Sequence, residues 1–408
     1  MGLYEDVSGK LQRFHQEQLL RYYEGLDAGE KQALLTQIDQ TDFSILEQAA
    51  NGHAPERGHI TPLKAMTLSE IAEQEETFRA KGLELIRKGE VGAVLLAGGM
   101  GTRLGSDDPK GMYNIGLTKD VFIFQRIIEN LLDVVKAADS WIHLFVMTSD
   151  KNHEATTRFL KEHDYFGYQP DKIHFFMQEM APATDYEGKI YLEEKGRLAT
   201  SPNGNGGWFV SMDRTGMLDI VKENGIKWLN CFAVDNVLQR IADPVFVGAT
   251  ALGNVGVGAK VVRKNAPDEK VGVMCLEDGK PSIVEYYELT DEMRDATGED
   301  GERLYNFGVI LNYLFSVDGL YRIMSEKMPL HRVEKKIPYI DAAGNKVSPE
   351  SPNGYKYETL ILDMIHEMGT CLPYEVVREK EFAPIKNKTG VDSVESAREL
   401  CKRNGIEL

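Results

Sequence analysis

The sequence predicts an α/β fold built on a mixed, mainly parallel sheet, and three features carry that prediction. From Val91 onward, short apolar runs of strand length alternate with amphipathic stretches of helix length, the pattern of a parallel sheet covered by helices on both faces. The first run, Val91 to Leu96, empties into a loop with glycines at 98, 99, 101 and 105, the form of a buried strand ending in a tight turn. Further along, β-branched runs flank Asp278-Gly279, a strong hairpin signal that adds antiparallel strands to the parallel ones.

Taken in order, residues 1–90 read as an N-terminal helical segment. Leu11, Phe14, Leu19, Tyr22, Tyr23, Leu34, Leu35 and Ile38 recur at helical spacing, Gly52, Pro55, Gly58 and Pro62 break the pattern, and Thr67-Leu-Ser-Glu70 is a capping signal for a further helix. After the glycine loop come a helix (121–137), a strand (142–147), a helix (151–163), a strand (173–178), a helix (209–223) and a strand (228–234). The hairpin pairs Val271 to Leu276 with Ile283 to Tyr287, placing Glu285 and Tyr286 on its second strand. A strand over 304–312, a helix over 354–368, a strand from Tyr374 and a short helix over 393–403 follow. This divides the chain into an N-terminal helical segment over 1–90, a large α/β domain over 91–387 and a short C-terminal helical segment over 388–408.

Composition narrows the function. A chain of 408 residues, 42% hydrophobic, buries a large core. No apolar run approaches 18 residues and the N-terminus lacks the basic and apolar regions of a secretion signal, so neither a membrane span nor export is expected. Cys231, Cys275, Cys371 and Cys401 form no Cys-x-x-Cys pair, which fits reduced thiols in the cytoplasm and not a zinc site. A net charge of −17 opposes nucleic-acid and anionic-membrane partners, so phosphate ligands need a few locally concentrated cations. Monomer and homodimer both remain open.

The glycine loop supplies two such cations, Arg103 and Lys110. Its glycines let bare amides approach a phosphate or a base. The dinucleotide fingerprint fails because Leu104 stands where a third small residue belongs, and the Walker A loop fails because the order is Pro109-Lys110-Gly111. Ligands of parallel sheets sit beyond the carboxyl ends of the strands. Gln178 and Asp235 stand at two such ends, where a base and a metal would need them; an ordinary strand-end amide and a helix N-cap are the plainer readings. A second glycine-rich loop, Ser201-Pro-Asn-Gly-Asn-Gly-Gly-Trp208, precedes a helix.

The run Leu-Ala-Gly-Gly-x-Gly-Thr-Arg-Leu-Gly followed by Pro-Lys-Gly-Met-Tyr113 resembles the nucleotide loop of the UDP-sugar pyrophosphorylases, most of all their UDP-N-acetylhexosamine branch. Phe-Phe-Met-Gln178, Gly204-Asn-Gly-Gly, Ala-Val-Asp235-Asn, Val-Glu285-Tyr, Tyr-Asn306-Phe-Gly, Lys-Lys-Ile-Pro-Tyr339 and Glu381-Phe-Ala-Pro-Ile-Lys386-Asn extend the likeness over most of the chain. The resemblance implies a Rossmann-like sheet of the nucleotide-diphosphosugar transferase (GT-A-like) type. It assigns Leu96, Ala97, Gly98, Gly99, Lys110, Gln178 and Gly204 to the nucleotide, and Asn205, Glu285, Tyr286 and Asn306 to the sugar. Asp235 becomes the ligand of Mg2+, and Lys386 a phosphate cation. Eukaryotic relatives carry a longer C-terminal domain past Asn387. Val309 departs from the family, which commonly has Asn there, and bears on which sugar is used.

The implied reaction is transfer of uridylyl from UTP to a sugar 1-phosphate with release of pyrophosphate. Charge develops on oxygens, so positioning and cations suffice, with Arg103, Lys110 and Lys386 as the catalytic cations. The sugar is N-acetylglucosamine or N-acetylgalactosamine in the first reading, and glucose, galactose or a broad range in the second. A nucleotide-sugar sensor without activity is the third.

Overall fold

The computed structural model describes residues 2–51, 57–325 and 328–408. Gly52 and Pro55, read as helix breakers, lie outside them. The chain forms two compact units, one of residues 1–56, 179–207 and 328–361, the other of residues 57–178, 208–327 and 362–408.

The larger unit is a mixed α/β body around one sheet, in which ten strands are described: β1 (Ile60–Pro62), β2 (Val91–Leu96), β3 (His143–Thr148), β4 (Ile173–Met177), β5 (Trp228–Ala233), β6 (Val257–Arg263), β7 (Val273–Glu277), β8 (Lys280–Val284), β9 (Phe307–Ser316) and β10 (Cys371–Glu375). The order is β1-β7-β9-β5-β2-β3-β4, with β8 on β7, β6 on β9 and β10 on β6. The consecutive strands β5, β2, β3 and β4 are parallel. β9 runs antiparallel to β5 and to β6, and β10 is parallel to β6. β2 is buried along its whole length, as its unbroken Val-Gly-Ala-Val-Leu-Leu run requires of a strand covered on both faces.

Helices cover the sheet for reasons visible residue by residue. Ile123–Ala138 buries Ile127, Ile128, Leu131, Val134 and Val135 on one stripe. Leu68–Arg87 starts at the Thr67 and Glu70 capping box anticipated from sequence. It meets the helix Pro244–Leu252 backbone to backbone: a Cβ on Gly82 would fall 1.8 Å from the Pro244 carbonyl oxygen, and one on Gly248 the same distance from that of Phe78. That contact places residues 68–87 in the larger unit, although the sequence boundary at 90 had set them with the N-terminal segment.

The smaller unit holds the helices Leu3–Arg13, Ala28–Gln40 and Ser44–Asn51, whose Val7, Leu11, Leu34, Leu35 and Ile38 pack with Ile190, Leu192 and Leu198. It also contains a sheet of His331–Lys335, Gly354–Glu358 and Thr184–Asp185.

Three local expectations change. The helix read over 209–223 is two, Trp208–Arg214 and Met217–Glu223, separated where Gly216 takes φ +75°. The first part of the 354–368 helix is the strand Gly354–Glu358, and only Ile361–Met368 is helical, because Tyr355 and Tyr357 pair across to Glu334 and Arg332. The Asp278-Gly279 hairpin forms as anticipated, with positive φ at both positions, but β8 ends at Val284, so Glu285 and Tyr286 lie beyond the strand.

Candidate active site

The carboxyl ends of the parallel strands β2, β3, β4 and β5 line up, and Lys110, Gln178 and Asp235 follow three of them. Ala97 follows β2 and its N–H donates to the Met147 oxygen at 2.9 Å. The loop then folds back on itself: Gly101 N–H reaches the Asp108 oxygen at 2.8 Å and Lys110 N–H the Gly99 oxygen at 3.1 Å. Its carbonyls are held from just past β3, where Ser149 Oγ donates to the Gly98 oxygen at 3.0 Å and Asn152 Nδ2 to the Ala97 oxygen at 2.9 Å. With the acceptors occupied, the N–H groups of Gly98 and Gly99 bond to nothing among the described residues. The result is an acceptor-poor, donor-rich loop suited to an anion or a base edge.

The two adjacent glycines differ in their surroundings. A Cβ on Gly98 would come 2.7 Å from Gln178 Nε2, so the Gln178 amide lies against this stretch of backbone. Gln178 is anchored just past β4 by its N–H to the Thr148 oxygen at 2.8 Å. A Cβ on Gly99 would meet nothing within 4 Å, so no atom of the described residues accounts for that glycine. Farther along, Gly111 receives the Phe124 ring, 2.3 Å from where a Cβ would stand, which seats Lys110 on the helix Ile123–Ala138.

Lys110 is the electrostatic centre of the site. Its Nζ lies 3.7 Å from Asp235 Oδ2, the two side chains being 17% and 24% exposed. Burial pulls the Lys110 ammonium below its ordinary pKa; Asp235 opposes this, while repulsion from Arg103 and Lys386 adds to it. Lys110 is thus in contact with one carboxylate, Asp235, and feels the like charges of Arg103 and Lys386. Incoming polyanions stabilise cations so placed.

Asp235 and Lys386 are brought together by the backbone. Ile385 N–H donates to the Asp235 oxygen at 2.9 Å, Ala383 N–H to Asn236 Oδ1 at 2.9 Å, and Asn236 Nδ2 to the Glu381 oxygen at 2.7 Å. Lys386 Nζ contacts Asp392 Oδ2 at 3.1 Å. Asp235 caps no helix, so the N-cap reading of that residue falls away.

A second polar group lies along the same edge. Asn306, just ahead of β9, is buried, and its Oδ1 has no partner among the described residues. Val309 N–H donates to the Gly272 oxygen at 2.9 Å, and a Cβ on Gly272 would stand 3.5 Å from the Glu285 carboxylate. Burial and Glu288 raise the Glu285 pKa, while Arg57 and Lys386 pull it down. Tyr286 is 37% exposed and packs edge-on to Tyr287.

Gly204 and Asn205 belong to the smaller unit. Gly204, with φ +88°, leaves a Cβ only 2.2 Å from the Thr359 oxygen, and Asn205 Oδ1 accepts the Ile361 N–H at 3.0 Å. Sequence reasoning missed Ser149 and Asn152, for which a polar pair just past an apolar strand was the available signal, and the residues behind Asp235, for which there was none.

Fold and site define a mixed α/β protein with a glycine loop and a Lys110–Asp235 pair at the carboxyl edge of its parallel strands. The chain belongs to the UTP–glucose-1-phosphate uridylyltransferase family, whose model matches residues 42–404. It is 37% identical over 411 residues to the mouse (Mus musculus) UDP-N-acetylhexosamine pyrophosphorylase-like protein 1, covering 95% of this chain and 81% of that one. It is 36% identical to UDP-N-acetylglucosamine diphosphorylase 2 of Arabidopsis thaliana, over 97% and 82% of the two chains. The structure is similar to that of the uridine diphosphate N-acetylglucosamine pyrophosphorylase of Trypanosoma brucei, with a TM-score of 0.83, 27% identity and coverage of 98% and 84%. The resemblance seen in the motifs is thus borne out. No helix among the described residues is long and apolar enough to cross a membrane.

Proposed function

We propose that the protein transfers uridylyl from UTP to an N-acetylhexosamine 1-phosphate, giving UDP-N-acetylglucosamine or UDP-N-acetylgalactosamine and pyrophosphate, reversibly. The observation that carries this reading is the Lys110–Asp235 pair, with Asp235 bonded through its backbone to the segment that carries Lys386, beside a glycine loop whose Gly98 and Gly99 amides have no partner among the described residues. Names of relatives at 36–37% identity support the sugar class.

In this reading a sugar-phosphate oxygen attacks the α-phosphorus of UTP in line. The new P–O bond forms as the α–β anhydride bond breaks, and pyrophosphate leaves with the electron pair. No protein nucleophile is needed. Arg103 and Lys110 hold the triphosphate, and Lys386 balances charge where the phosphates meet. The Gly98 and Gly99 amides and the Gln178 side chain receive uracil, with Leu96 and Ala97 setting the loop's exit. Glu285, Tyr286 and the unpartnered Asn306 Oδ1 receive the sugar. Gly204 and Asn205 are assigned to nucleotide and sugar on motif likeness alone.

The donor set fits Mg2+ that arrives on phosphates. Asp235 is a single, partly exposed carboxylate, and no group of three or more His, Cys, Asp or Glu able to hold a metal occurs among the described residues. A cation needing one or two carboxylates plus substrate oxygens suits that environment. When bound, Mg2+ supplies charge neutralisation on the phosphate oxygens. We also propose a GT-A-like, Rossmann-like classification for the sheet and a cytoplasmic location, in keeping with four unpaired cysteines.

A second reading, a UDP-glucose, UDP-galactose or broad UDP-sugar pyrophosphorylase, is favoured by one observation, Val309 in place of an amide beside Gly272. A panel of sugar 1-phosphates assayed with UTP and Mg2+ for pyrophosphate release separates the two. Turnover of N-acetylglucosamine 1-phosphate well above glucose 1-phosphate supports the first. UTP binding with no pyrophosphate from any sugar phosphate overturns both.

A further inference from the structure

Behind Asp235 lies a buried polar assembly that the transfer reaction does not itself use. Lys260, on β6, is fully buried, and its Nζ contacts Glu381 Oε2 at 2.5 Å and the Arg240 oxygen at 2.9 Å. The same Glu381 oxygen accepts the Arg240 N–H at 3.3 Å. Around this pair the turn after β5 is fastened by amides: Gln239 Nε2 to the Ala233 oxygen at 2.7 Å, Asn312 Nδ2 to Gln239 Oε1 at 3.2 Å, Asn230 Nδ2 to Asn312 Oδ1 at 2.8 Å, and Ala242 N–H to Asn230 Oδ1 at 2.7 Å.

The strands are deformed to make this possible. Between β6 and β9 the register jumps from Ala259 opposite Tyr313 to Val261 opposite Val309, so Lys260 faces three residues of the longer strand. Leu311, in the middle of those three, takes φ +52°, a conformation a leucine adopts only when its surroundings impose it. The bulge therefore costs energy, and its site is the carboxyl end of β5.

Stability alone explains neither the strain nor the ions. A buried ion pair is seldom better for stability than apolar side chains of the same shape, because the desolvation of both charges offsets their attraction. What the pair does is geometric. Glu381 opens the segment that ends in Lys386, Arg240 closes the turn that begins with Asp235, and Lys260 binds both.

We propose that Lys260 and Glu381 are positioning residues of the transfer: their ion pair locks the turn 235–242 to the segment 381–386 and fixes Asp235 against Lys386. This rests on the uridylyltransferase reading for its kinetic consequence and on geometry alone for the locking.

The test is Lys260→Met/Glu381→Gln, which removes both charges together while keeping shape. The double variant is expected to melt close to the native protein and to keep KM for UTP within about threefold, while kcat falls roughly 10- to 100-fold, the scale of a small misplacement of reacting groups. Amide exchange at Ala383 and Ile385, the two donors to the turn, is expected to speed up at least tenfold, on the order seen for locally opened segments, with β2 and β3 unchanged. Should the double variant fail to fold, Asn236→Ala cuts the same link without touching a buried charge and is expected to give the same split. A kcat within about twofold of native, or a rise in KM with kcat unchanged, overturns the positioning role. If the native protein turns over no sugar phosphate, the functional reading has failed, and the locking is judged by exchange: faster at 383 and 385 supports it, unchanged rates overturn it.

Discussion

Two glycine-rich loops look alike in the sequence and are different objects in the structure. In the first, Gly99 has no protein atom within reach of a Cβ and its N–H has no partner among the described residues, while the carbonyls of Ala97 and Gly98 are occupied by Asn152 and Ser149. In the second, every glycine is filled from within its own unit: Thr359 lies against Gly204, Leu360 against Gly206 at 2.7 Å, and Asn203 against Gly207 at 2.5 Å. Between the two, the first loop is the one with a glycine, Gly99, that no atom of the described residues fills. Glycine density therefore reports close backbone approach, and the identity of what approaches, ligand or protein, is decided by the atoms around each position.

The sharpest way to break this contrast is at its charged end. Lys110→Ala is expected to lower kcat on the order of 10²-fold or more, as loss of a transition-state charge contact does. Its melting temperature is expected to change little, because burial and two like charges already disfavour the Lys110 cation. Unchanged turnover in a steady-state assay would remove Lys110 from the chemistry. Next in size are paired glycine substitutions. Gly99→Ala is expected to leave thermal stability unaltered and raise KM for UTP roughly tenfold, consistent with about 1.4 kcal/mol of lost contact. Gly206→Ala drives a methyl into the Leu360 backbone and is expected to cost about 1–3 kcal/mol by denaturant titration. If Gly99→Ala destabilises as much as Gly206→Ala, the distinction between the loops is wrong.

Smaller and more discriminating is Asn205, whose Oδ1 accepts the first N–H of the helix Ile361–Met368. Asn205→Ala removes that cap and is expected to cost about 1 kcal/mol. Asn205→Asp keeps the acceptor and deletes the amide donors, so stability should survive while kcat/KM for the sugar phosphate drops. A kcat/KM identical to native in the Asp variant would leave Asn205 with a structural role alone.

How much of this could be read beforehand follows from what range of interaction each feature depends on. The parallel strands, the Thr67 capping box and the Asp278-Gly279 hairpin were legible because apolar period and local turn chemistry act within a few residues. Arg103 and Lys110 were legible for the same reason, lying in the loop that follows β2. The break at Gly216 was not, since a single glycine is tolerated inside a helical pattern and only its positive φ marks the stop; nor was the strand Gly354–Glu358, since a run with two tyrosines satisfies helix and strand patterns alike until a partner strand chooses. Least legible was the fastening of Asp235: Lys260 lies 121 residues from Glu381, and nothing local distinguishes either from a solvated charge.

One region outside both loops sets the conditions for testing them. On β3 and β4 the rings of His143 and His174 stack at 5.1 Å, with Nδ1 of the first 2.8 Å from Nε2 of the second and Lys172 Nζ 3.4 Å from His143. Burial, then the His143 and Lys172 charges, push His174 down to about 4 from an ordinary 6.5. Folded His174 thus stays neutral where the unfolded chain takes up a proton. Stability present above pH 6.5 is lost as pH falls toward 4, by no more than about 1.4 kcal/mol for each pH unit per proton. His174→Gln, which cannot titrate, is expected to flatten the acid side of a melting-temperature profile across that window and to leave it unchanged at pH 8. If the variant and the native protein lose stability in parallel between pH 6.5 and 4, the acid sensitivity lies elsewhere. If they diverge as expected, kinetic comparison of the two loops belongs above pH 7, where loss of fold does not contribute to loss of binding.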